Sequence, residues 1–369
     1  MARAAAVNPL EIFAFLPILL PMILVTVATL SAWISRAPYR SALPALVLVV
    51  TALLSGCSQS TSELAASRPL IRLGSYEWPG SYWIEVASQK NWFAEEGLNV
   101  QRTNVNLRYF ESLDDVVTGK LDGMGFSQFD LVLKVAKGHD LVGVAAIDYS
   151  EGAEALVARP GLNRLQDLHG KRVALHRGTY LEYLLTIIAE RESFDTTSLT
   201  FVDRSNDEAL ADLKAGRVDA VLVWEPYVTD ALALVPGSTR LFSTEQFPGL
   251  TYTVMTFRRD FVDARPRDIE ALLRVWHRAV QYIRKHPDES LPLISKSFGA
   301  TLASTESLMR SDRILDLADN GRAFSYAAGF ESLHGSWRRM NDFMIERGLA
   351  AKRVDSPAHL DSRFVRALE

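Results

Sequence analysis

The sequence predicts an α/β protein made of two similar lobes that face each other across a cleft. The chain nearly repeats itself after about a hundred residues, since residues 116–124 (VVTGKLDGM) line up with residues 213–221 (LKAGRVDAV). Each segment reads as a helix end, a glycine, a basic residue, an aliphatic residue, an aspartate and a small residue that enters a buried strand. Two copies are too few for a solenoid, whereas paired β/α lobes bind ligands at the crevice between them.

Predicted strands and helices alternate through both copies. The first copy has strands at 71–76, 98–105, 123–126 and 141–147, with helices at 82–96, 112–118 and 129–137. After a β-rich segment at 153–158, the second copy has strands at 172–175, 199–203 and 220–224, with helices at 180–190, 206–215 and 226–234. This alternation predicts two mostly parallel sheets flanked by helices.

The last third of the chain is predicted to return to the first lobe. Residues 251–257 form a β-branched and aromatic run, and three helices follow at 268–285, 302–317 and 336–347. The first lobe therefore comprises residues 68–150 plus 248–369, and the second comprises residues 151–247. A chain that crosses twice between two lobes has a hinge, which suits closure around a ligand.

The composition favours a globular protein and excludes several kinds of site. The chain has 369 residues, of which 48% are hydrophobic, and a formal net charge of −4, which disfavours nucleic acid as a partner. Cys57 is the single cysteine, so neither a disulfide nor a cysteine-based metal site can form. The seven histidines show no ligand spacing, and no catalytic triad, phosphate loop or dinucleotide fingerprint is present. We therefore expect no metal, no cofactor and no catalytic residues.

The first 57 residues are predicted to lie outside the fold. Residues 12–35 form a charge-free apolar run long enough to span a bilayer, and a second apolar run ends in Leu54-Ser55-Gly56-Cys57. This ending resembles a lipobox, so Cys57 is a candidate lipid anchor, with 58–67 as a tether. Cys57 could instead be a chance cysteine. The upstream run is either an extra transmembrane helix or translated sequence before a true start near Leu30.

In the second lobe, candidate ligand contacts lie where a predicted strand gives way to a helix. Arg177, Gly178 and Thr179 precede the helix that begins at Tyr180. Exposed N–H groups and the positive end of a helix suit an anionic group, so Gly178, Thr179 and Tyr180 are candidate contacts. The alternative is that Thr179 only caps the helix.

In the first lobe, Ser127 and Gln128 occupy the matching place, and Ser127 could likewise be only a cap. Trp78 and Tyr82 flank a Pro-Gly pair after the first strand, where aromatic rings could stack on a ligand or pack in the core.

Trp224 and Glu225 end a buried strand of the second lobe. A carboxylate there either binds a cationic or amide group of the ligand or caps the following helix. Asp148 and Tyr149 lie at the first crossing between the lobes, as hinge residues or ligand contacts.

Four segments give the chain a family resemblance. They are residues 76–80 (YEWPG), 90–100 (KNWFAEEGLNV), 167–174 (DLHGKRVA) and 216–220 (GRVDA), the last continued by WEP at 224–226. Their order and spacing resemble those of nitrate/sulfonate/taurine-type solute-binding proteins.

The resemblance implies a type 2 periplasmic-binding fold. With the lipobox-like ending at Cys57, we expect a lipid-anchored monomer on the periplasmic side of a membrane. It implies delivery of a small solute, anionic or heterocyclic, to the permease of an ABC importer, with no catalysis. The alternatives are a ligand-sensing domain of a membrane signalling system and a cofactor-precursor enzyme on the same fold. The cysteine-rich motif of that enzyme cannot be present with Cys57 alone.

Overall fold

The computed structural model of the protein describes residues 67–106 and 108–368. The predictions for residues 1–57, including lipidation of Cys57, and for most of the tether lie outside these residues. All described residues belong to one compact unit. Within them, no helix combines the length and the apolar character needed to cross a bilayer.

Eleven strands form two sheets in the described chain. The strands are β1 (Ile71–Ser75), β2 (Val100–Asn104), β3 (Gly123–Ser127), β4 (Leu141–Ser150), β5 (Glu154–Ala158), β6 (Arg172–Leu175), β7 (Thr200–Asp203), β8 (Ala220–Trp224), β9 (Thr239–Ser243), β10 (Tyr252–Arg258) and β11 (Asp312–Ile314). The first sheet has the order β11-β4-β10-β3-β1-β2, and the second has the order β7-β6-β8-β5-β9.

Helices cover both sheets. They are α1 (Tyr82–Gln89), α2 (Trp92–Glu95), α3 (Tyr109–Val117), α4 (Gln128–Ala136), α5 (Tyr180–Arg191), α6 (Asn206–Lys214), α7 (Tyr227–Leu234), α8 (Arg259–Ala264), α9 (Pro266–Lys285), α10 (Pro287–Phe298), α11 (Leu302–Arg310), α12 (Leu317–Ala323), α13 (Leu333–Glu346) and α14 (Arg363–Arg366). Short 3₁₀ helices span Pro79–Ser81, Leu165–Leu168, Thr196–Ser198, Thr244–Gln246 and Ser356–Ala358.

Each sheet is mixed, where the sequence predicted mostly parallel pairing. In the first sheet β1 runs parallel to β2 and β3, but β10 lies antiparallel between β3 and β4. In the second sheet β6 runs parallel to β7 and β8, but β5 lies antiparallel between β8 and β9. The antiparallel strands β5 and β10 directly follow the two crossings. Each of these strands therefore enters its sheet from the cleft side and runs antiparallel to both neighbouring strands.

The repeat predicted from the sequence is confirmed at the level of side-chain contacts. The Arg72 guanidinium donates to Asp122 at 2.8 and 3.1 Å, and the Arg72 backbone N–H donates to the same carboxylate at 2.7 Å. In the second lobe Arg172 makes the same three contacts with Asp219, at 3.2, 3.1 and 2.9 Å. Each aspartate therefore joins the amino ends of two neighbouring parallel strands.

The glycines of the repeat also have equivalent surroundings. Gly119 and Gly216 follow α3 and α6 with φ of +79° and +70°, the left-handed conformation that glycine tolerates best. A guanidinium packs beside each glycine and donates to the end of the preceding helix. It is Arg258 in the first lobe and Arg159 in the second.

Two predicted helices are interrupted. The segment predicted as one helix over 82–96 divides into α1 and α2, because Asn91 adopts a left-handed φ of +59° between them. The helix predicted over 302–317 ends at Arg310, and β11 follows it before α12 begins. Asp316 caps α12 by accepting a hydrogen bond from the Asp319 N–H, which places a new helix start inside the predicted helix.

A buried hydroxyl ties the two crossings together. The Thr244 Oγ1, in the second crossing, lies 2.6 Å from the Ser150 Oγ and accepts from the Gly152 N–H at 2.9 Å, both in the first crossing. It also donates to the Glu154 carboxylate at 3.1 Å. Buried networks of this kind fix local geometry, so the crossings form a defined joint between the two sheets.

Candidate functional site

The amino end of α4, predicted as an anion site, is occupied by a carboxylate of its own helix. The Ser127 Oγ donates to Asp130 at 2.6 Å and accepts from the Asp130 N–H at 3.1 Å. The Tyr109 hydroxyl donates to Asp130 at 2.9 Å and accepts from the Ser127 N–H. Gln128 is buried and donates to the Leu333 carbonyl. Asp130 and the Ser127 and Tyr109 hydroxyls at this helix start are therefore partnered within the protein, whereas the buried Gln128 Oε1 has no partner among the described residues.

The amino end of α5 is arranged in the same way. Thr179 caps the helix by accepting from the Leu181 N–H at 3.3 Å, and its hydroxyl donates to the His176 carbonyl. The Gly178 N–H donates to the Glu182 carboxylate at 2.9 Å, as does the Arg177 guanidinium. Burial acts to raise the pKa of Glu182, but these donors outweigh it and lower the pKa. Glu182 thus takes the place that an anionic ligand would fill.

An aromatic cluster connects the carboxyl ends of strands from both sheets. Tyr180 stacks on Trp224, with ring centroids 5.8 Å apart and an interplanar angle of 30°. Phe110, on α3 beside the first sheet, lies 6.4 Å from Trp224 and 5.3 Å from His176. Tyr109 continues the cluster into the first lobe, 5.2 Å from Phe110. The structure thus brings the candidate contacts Tyr180 and Trp224 together and adds Phe110 against Trp224 from the first lobe.

The carboxylate of Glu225 is held by its own helix. It accepts hydrogen bonds from the Thr229 N–H at 3.1 Å and from the Thr229 hydroxyl at 3.0 Å, and only 7% of the residue is exposed. These contacts are those of a capping carboxylate at the start of α7. The carboxylate faces the helix start next to the aromatic cluster.

Trp78 and Tyr82 occupy different environments. Trp78 is half-buried after β1, and its indole lies close enough to Asp148 and Asp312 to oppose the rise in pKa that burial causes in both. Tyr82 is fully buried against Phe298, with ring centroids 6.1 Å apart, and its hydroxyl has no partner among the described residues. Trp78 therefore lies at the cleft, whereas Tyr82 packs beneath it.

Two aspartates near Trp78 are buried without hydrogen-bond partners. Asp148 on β4 is 0% exposed and Asp312 on β11 is 6% exposed. They lie on one face of the sheet, because Asp312 pairs with Ser150, two residues from Asp148. None of their four carboxylate oxygens has a well-aligned hydrogen bond to a described residue, although the Trp78 indole, the Thr253 hydroxyl and the Gly80 N–H lie close enough to interact with them.

Glycine is required beside this pair of aspartates. A Cβ atom at Gly80 would lie 1.8 Å from the Asp148 Oδ2, so only glycine lets the turn after β1 approach the carboxylate this closely. The Thr253 hydroxyl and the Gly80 N–H are also near enough to oppose the rise in the pKa of Asp148 that burial causes. Asp148 therefore lies at the end of the first sheet that faces the cleft.

Burial dominates the electrostatics of these carboxyl groups. It raises the pKa of Asp148 to about 7, with a further contribution from repulsion by Glu154. Burial raises the pKa of Asp312 well above its usual range, and repulsion from Asp148 and Glu154 adds to the effect. Burial also raises the pKa of Glu154, which the Ser150, Thr244 and Tyr180 hydroxyls oppose.

The sequence contained a signal for part of this arrangement. Asp148 ends the apolar run 141–147, and a carboxylate in such a run must be paired or functional. Phe110 and Asp312 carried no such signal, because each reaches the cleft only through the packing of distant elements. Asp312 joins Asp148 from more than 150 residues further along the chain, on a strand that the sequence did not predict.

Two mixed α/β sheets, joined by two crossings and facing each other across an aromatic cleft, define a two-lobed binding-protein fold. The chain belongs to the family described as NMT1/THI5 like, which residues 78–290 match. The family resemblance seen in the sequence is confirmed.

Individual relatives agree with this assignment. The chain is 25% identical over 264 residues to a "putative aliphatic sulfonates-binding protein" of Bacillus subtilis, covering 68% of this chain and 76% of the relative. The periplasmic aliphatic sulphonate binding protein SsuA from Escherichia coli superposes with a TM-score of 0.68 at 19% identity, over 80% of this chain and 93% of that one.

The alkanesulfonate-binding protein SsuA from Xanthomonas axonopodis pv. citri, bound to MOPS, superposes with a TM-score of 0.62 at 19% identity, over 80% and 99% of the two chains. These similarities show that the protein has the periplasmic binding protein fold.

Proposed function

We propose that this protein is the solute-binding subunit of an ABC importer. It captures a small solute in the cleft between its two sheets and presents the closed form to a permease. The observation that carries the proposal is the aromatic cluster in which Phe110 of the first lobe meets Trp224 of the second, which stacks on Tyr180. The names of the sulfonate-binding relatives support a role in solute uptake.

The cleft is surrounded by four loops, and these are the proposed contact segments. They are residues 76–82 and 127–128 of the first lobe and residues 177–180 and 224–225 of the second. In parallel β/α lobes the strand carboxyl ends carry the ligand contacts, and these loops follow β1, β3, β6 and β8. A solute bound between them stabilises the closed form to the extent that it binds that form better than the open one.

The test combines binding with coupling to the transporter. Full-length protein is screened by calorimetry against small sulfonates, amines and heterocycles, and the solute that binds is then tested for stimulation of the permease ATPase in lipid nanodiscs. Trp224→Ala removes the ring that contacts both lobes and is expected to weaken binding about 10-fold or more, since buried aromatic contacts contribute about 1–3 kcal/mol. Trp92→Ala is the control, because Trp92 packs against Tyr282, in the first lobe.

The proposal fails if a bound solute leaves the ATPase rate unchanged. The assignment of the solute to the cleft fails if Trp224→Ala and Trp92→Ala have equal effects on affinity. Catalytic conversion of the bound solute, followed by chromatography, would indicate an enzyme instead.

We also propose that the protein is held at the periplasmic side of a membrane by a lipid on Cys57. The support is the Leu54-Ser55-Gly56-Cys57 string after a basic and then apolar stretch. Mass spectrometry of protein extracted from membranes should find Cys57 at the amino terminus, carrying the lipid. Peptides that still join Ser55-Gly56 to residues 58–70 in most molecules would contradict the proposal.

A further inference from the structure

The polar groups at the cleft favour a cation over an anion. The two helix starts that could hold an anion, at Ser127 and Thr179, are already occupied by Asp130 and Glu182. Asp148 and Asp312 are the two side chains there in which both carboxylate oxygens are buried without a partner among the described residues. An isolated buried carboxylate is strongly unfavourable unless a cation or a set of donors accompanies it.

No cation of the protein accompanies these carboxylates within the described residues. The guanidinium nearest along the chain, that of Arg313, donates to Asp319 at 3.2 Å and lies over the ring of Tyr149. The neighbours that act on Asp148 and Asp312 are instead the Trp78 indole, the Thr253 hydroxyl and other carboxyl groups. In the empty protein these carboxyl groups are therefore neutralised by proton uptake, and a cationic ligand would favour their ionised form.

Aromatic rings surround the same place. Burial raises the pKa of the Tyr76 phenol, and the nearby charges of Asp148, Asp130 and Asp312 add to the effect. The Tyr180 hydroxyl lies near Glu154, which extends the group of carboxyls toward the stacked Tyr180–Trp224 pair. Carboxylates combined with aromatic faces recognise organic cations, because the rings attract a positive charge and exclude water.

We infer that the solute carries a protonated nitrogen, an ammonium, amidinium or guanidinium group, whose N–H groups donate to Asp148 and Asp312 beneath the Trp78 ring. This inference rests on the proposed function and names the chemistry of its solute. An inorganic cation fits less well, since the described residues hold no group of three or more carboxylates, histidines or cysteines arranged around one metal position. A sulfonate remains compatible only if the same molecule also carries the cationic group.

The experiment compares matched compounds that differ in charged group. Full-length protein at pH 7.5 is titrated by calorimetry with ethylammonium, ethanesulfonate and 2-aminoethanesulfonate, and with benzylammonium, benzamidinium, phenylguanidinium, phenylmethanesulfonate and benzyl alcohol. Quenching of tryptophan fluorescence gives a second readout at Trp78 and Trp224. We expect at least one compound with a cationic nitrogen to bind at least 10-fold more tightly than its sulfonate or alcohol counterpart.

Substitutions then locate the contact. Asp148→Asn and Asp312→Asn should each weaken binding of the cationic compound about 30-fold or more, the lower end of the range for losing a desolvated charge pair. Asp122→Asn is the matched control, because Asp122 is a buried aspartate at the opposite end of the same sheet. It should leave the affinity within about 2-fold.

The melting temperature of each ligand-free variant shows whether a loss of binding comes from misfolding. In the empty protein at pH 8, the buried Asp148 carboxyl is ionised at a cost to stability. Asp148→Asn should therefore raise the melting temperature by several degrees, as removal of a destabilising functional group commonly does. Asp122→Asn should lower it.

Failure of every ammonium, amidinium and guanidinium compound to bind overturns the inference. So does unchanged affinity of the cationic compound in both Asp148→Asn and Asp312→Asn, or a lower melting temperature in Asp148→Asn. If a compound without a cationic nitrogen binds and stimulates the permease, the inference fails while the proposed function stands. If a cationic compound binds but leaves the permease unaffected, the proposed function fails while the inference stands.

Discussion

The carboxyl group of Asp148 makes stability depend on pH in an unusual direction. Its folded-state pKa is about 7, whereas its ordinary value is 3.8, so the folded protein holds this proton more tightly than the unfolded chain. The contribution is therefore fully present below about pH 4 and is lost as the pH rises toward 7. The difference between the two pKa values corresponds to about 4 kcal/mol.

We predict that Asp148→Asn removes this dependence. The difference in unfolding free energy between variant and wild type should shift in favour of the variant by a few kcal/mol between pH 4 and pH 7.5, and should then level off. Urea denaturation of ligand-free protein across this range measures it. Because Asp312 and Glu154 repel Asp148, the double variant with Asp312→Asn should show less than the sum of the two single effects. A difference that is constant with pH would contradict the prediction.

Glu225 is predicted to act on stability through its helix. Glu225→Gln should lower the unfolding free energy by about 1 kcal/mol, because the carboxylate that accepts from both donors of Thr229 and favours the positive helix end is lost. Thr229→Val keeps the N–H but removes the hydroxyl, so it should cost about half as much. Unchanged stability in Glu225→Gln together with a 30-fold loss of solute affinity would place this carboxylate in contact with the solute instead.

At the scale of single residues, the sequence pointed to candidate contacts only where a strand gives way to a helix. Trp224 and Tyr180 each stand directly at such a junction, and they meet in the structure. Phe110 is the second residue of α3. No pattern in the neighbouring sequence indicates that it faces the other lobe. Contacts of this kind depend on how lobes are placed, which a local pattern does not encode.

At the scale of elements, the two repeated units contain equivalent ion pairs, Arg72–Asp122 and Arg172–Asp219, which differ in how far the aspartate is buried. Asp122 is 4% exposed and also lies 3.7 Å from Arg258, whereas Asp219 is half-buried and pairs with Arg172. Loss of a carboxylate costs more where its partners are shielded from water. The internal repeat thus provides its own comparison of the same contact at two levels of shielding.

We predict that Asp122→Asn lowers the unfolding free energy by about 2–3 kcal/mol, and that Asp219→Asn lowers it by about 1 kcal/mol. Chemical denaturation of both variants at pH 7 and at two salt concentrations measures this. The effect of Asp219→Asn should shrink more at high salt, because exposed charges are screened more strongly. Equal costs at both positions would show that burial does not set the strength of this contact.

Element prediction succeeded where periodicity was long and ends were marked. The helix predicted over 268–285 is observed as α9, with Ile269, Leu272 and Trp276 buried on one face and Pro266 at its first turn. Prediction failed at β11, a three-residue strand between two helices. It is too short for a clear pattern, and in the described chain it pairs only with the distant β4. The antiparallel entry of β5 and β10 was also missed, since strand direction is a property of the crossings rather than of the strands.

For the whole molecule, opening and closing would depend on the joint formed by the two crossings. Gly152 lies in the first crossing with φ of +123°, and its N–H donates to the Thr244 hydroxyl that links the crossings. A Cβ atom there would meet only the Glu245 Cβ, at 3.8 Å, so space for a methyl group exists. Any effect of alanine at this position would therefore arise from backbone conformation alone.

We predict that Gly152→Ala lowers the unfolding free energy by about 1–3 kcal/mol and also weakens solute binding several-fold. The strained backbone should shift the crossing and disturb its hydrogen bond to Thr244, on which the relative placement of the lobes depends. Gly161→Ala is the matched control: Gly161 has φ of +90° with no atom within 4 Å of its Cβ position, and it lies outside the crossings. It should cost similar stability and leave solute affinity unchanged. Urea denaturation, and calorimetry with the solute found by the screen, measure the two quantities, and an equal loss of affinity in both variants would remove the joint from the binding process.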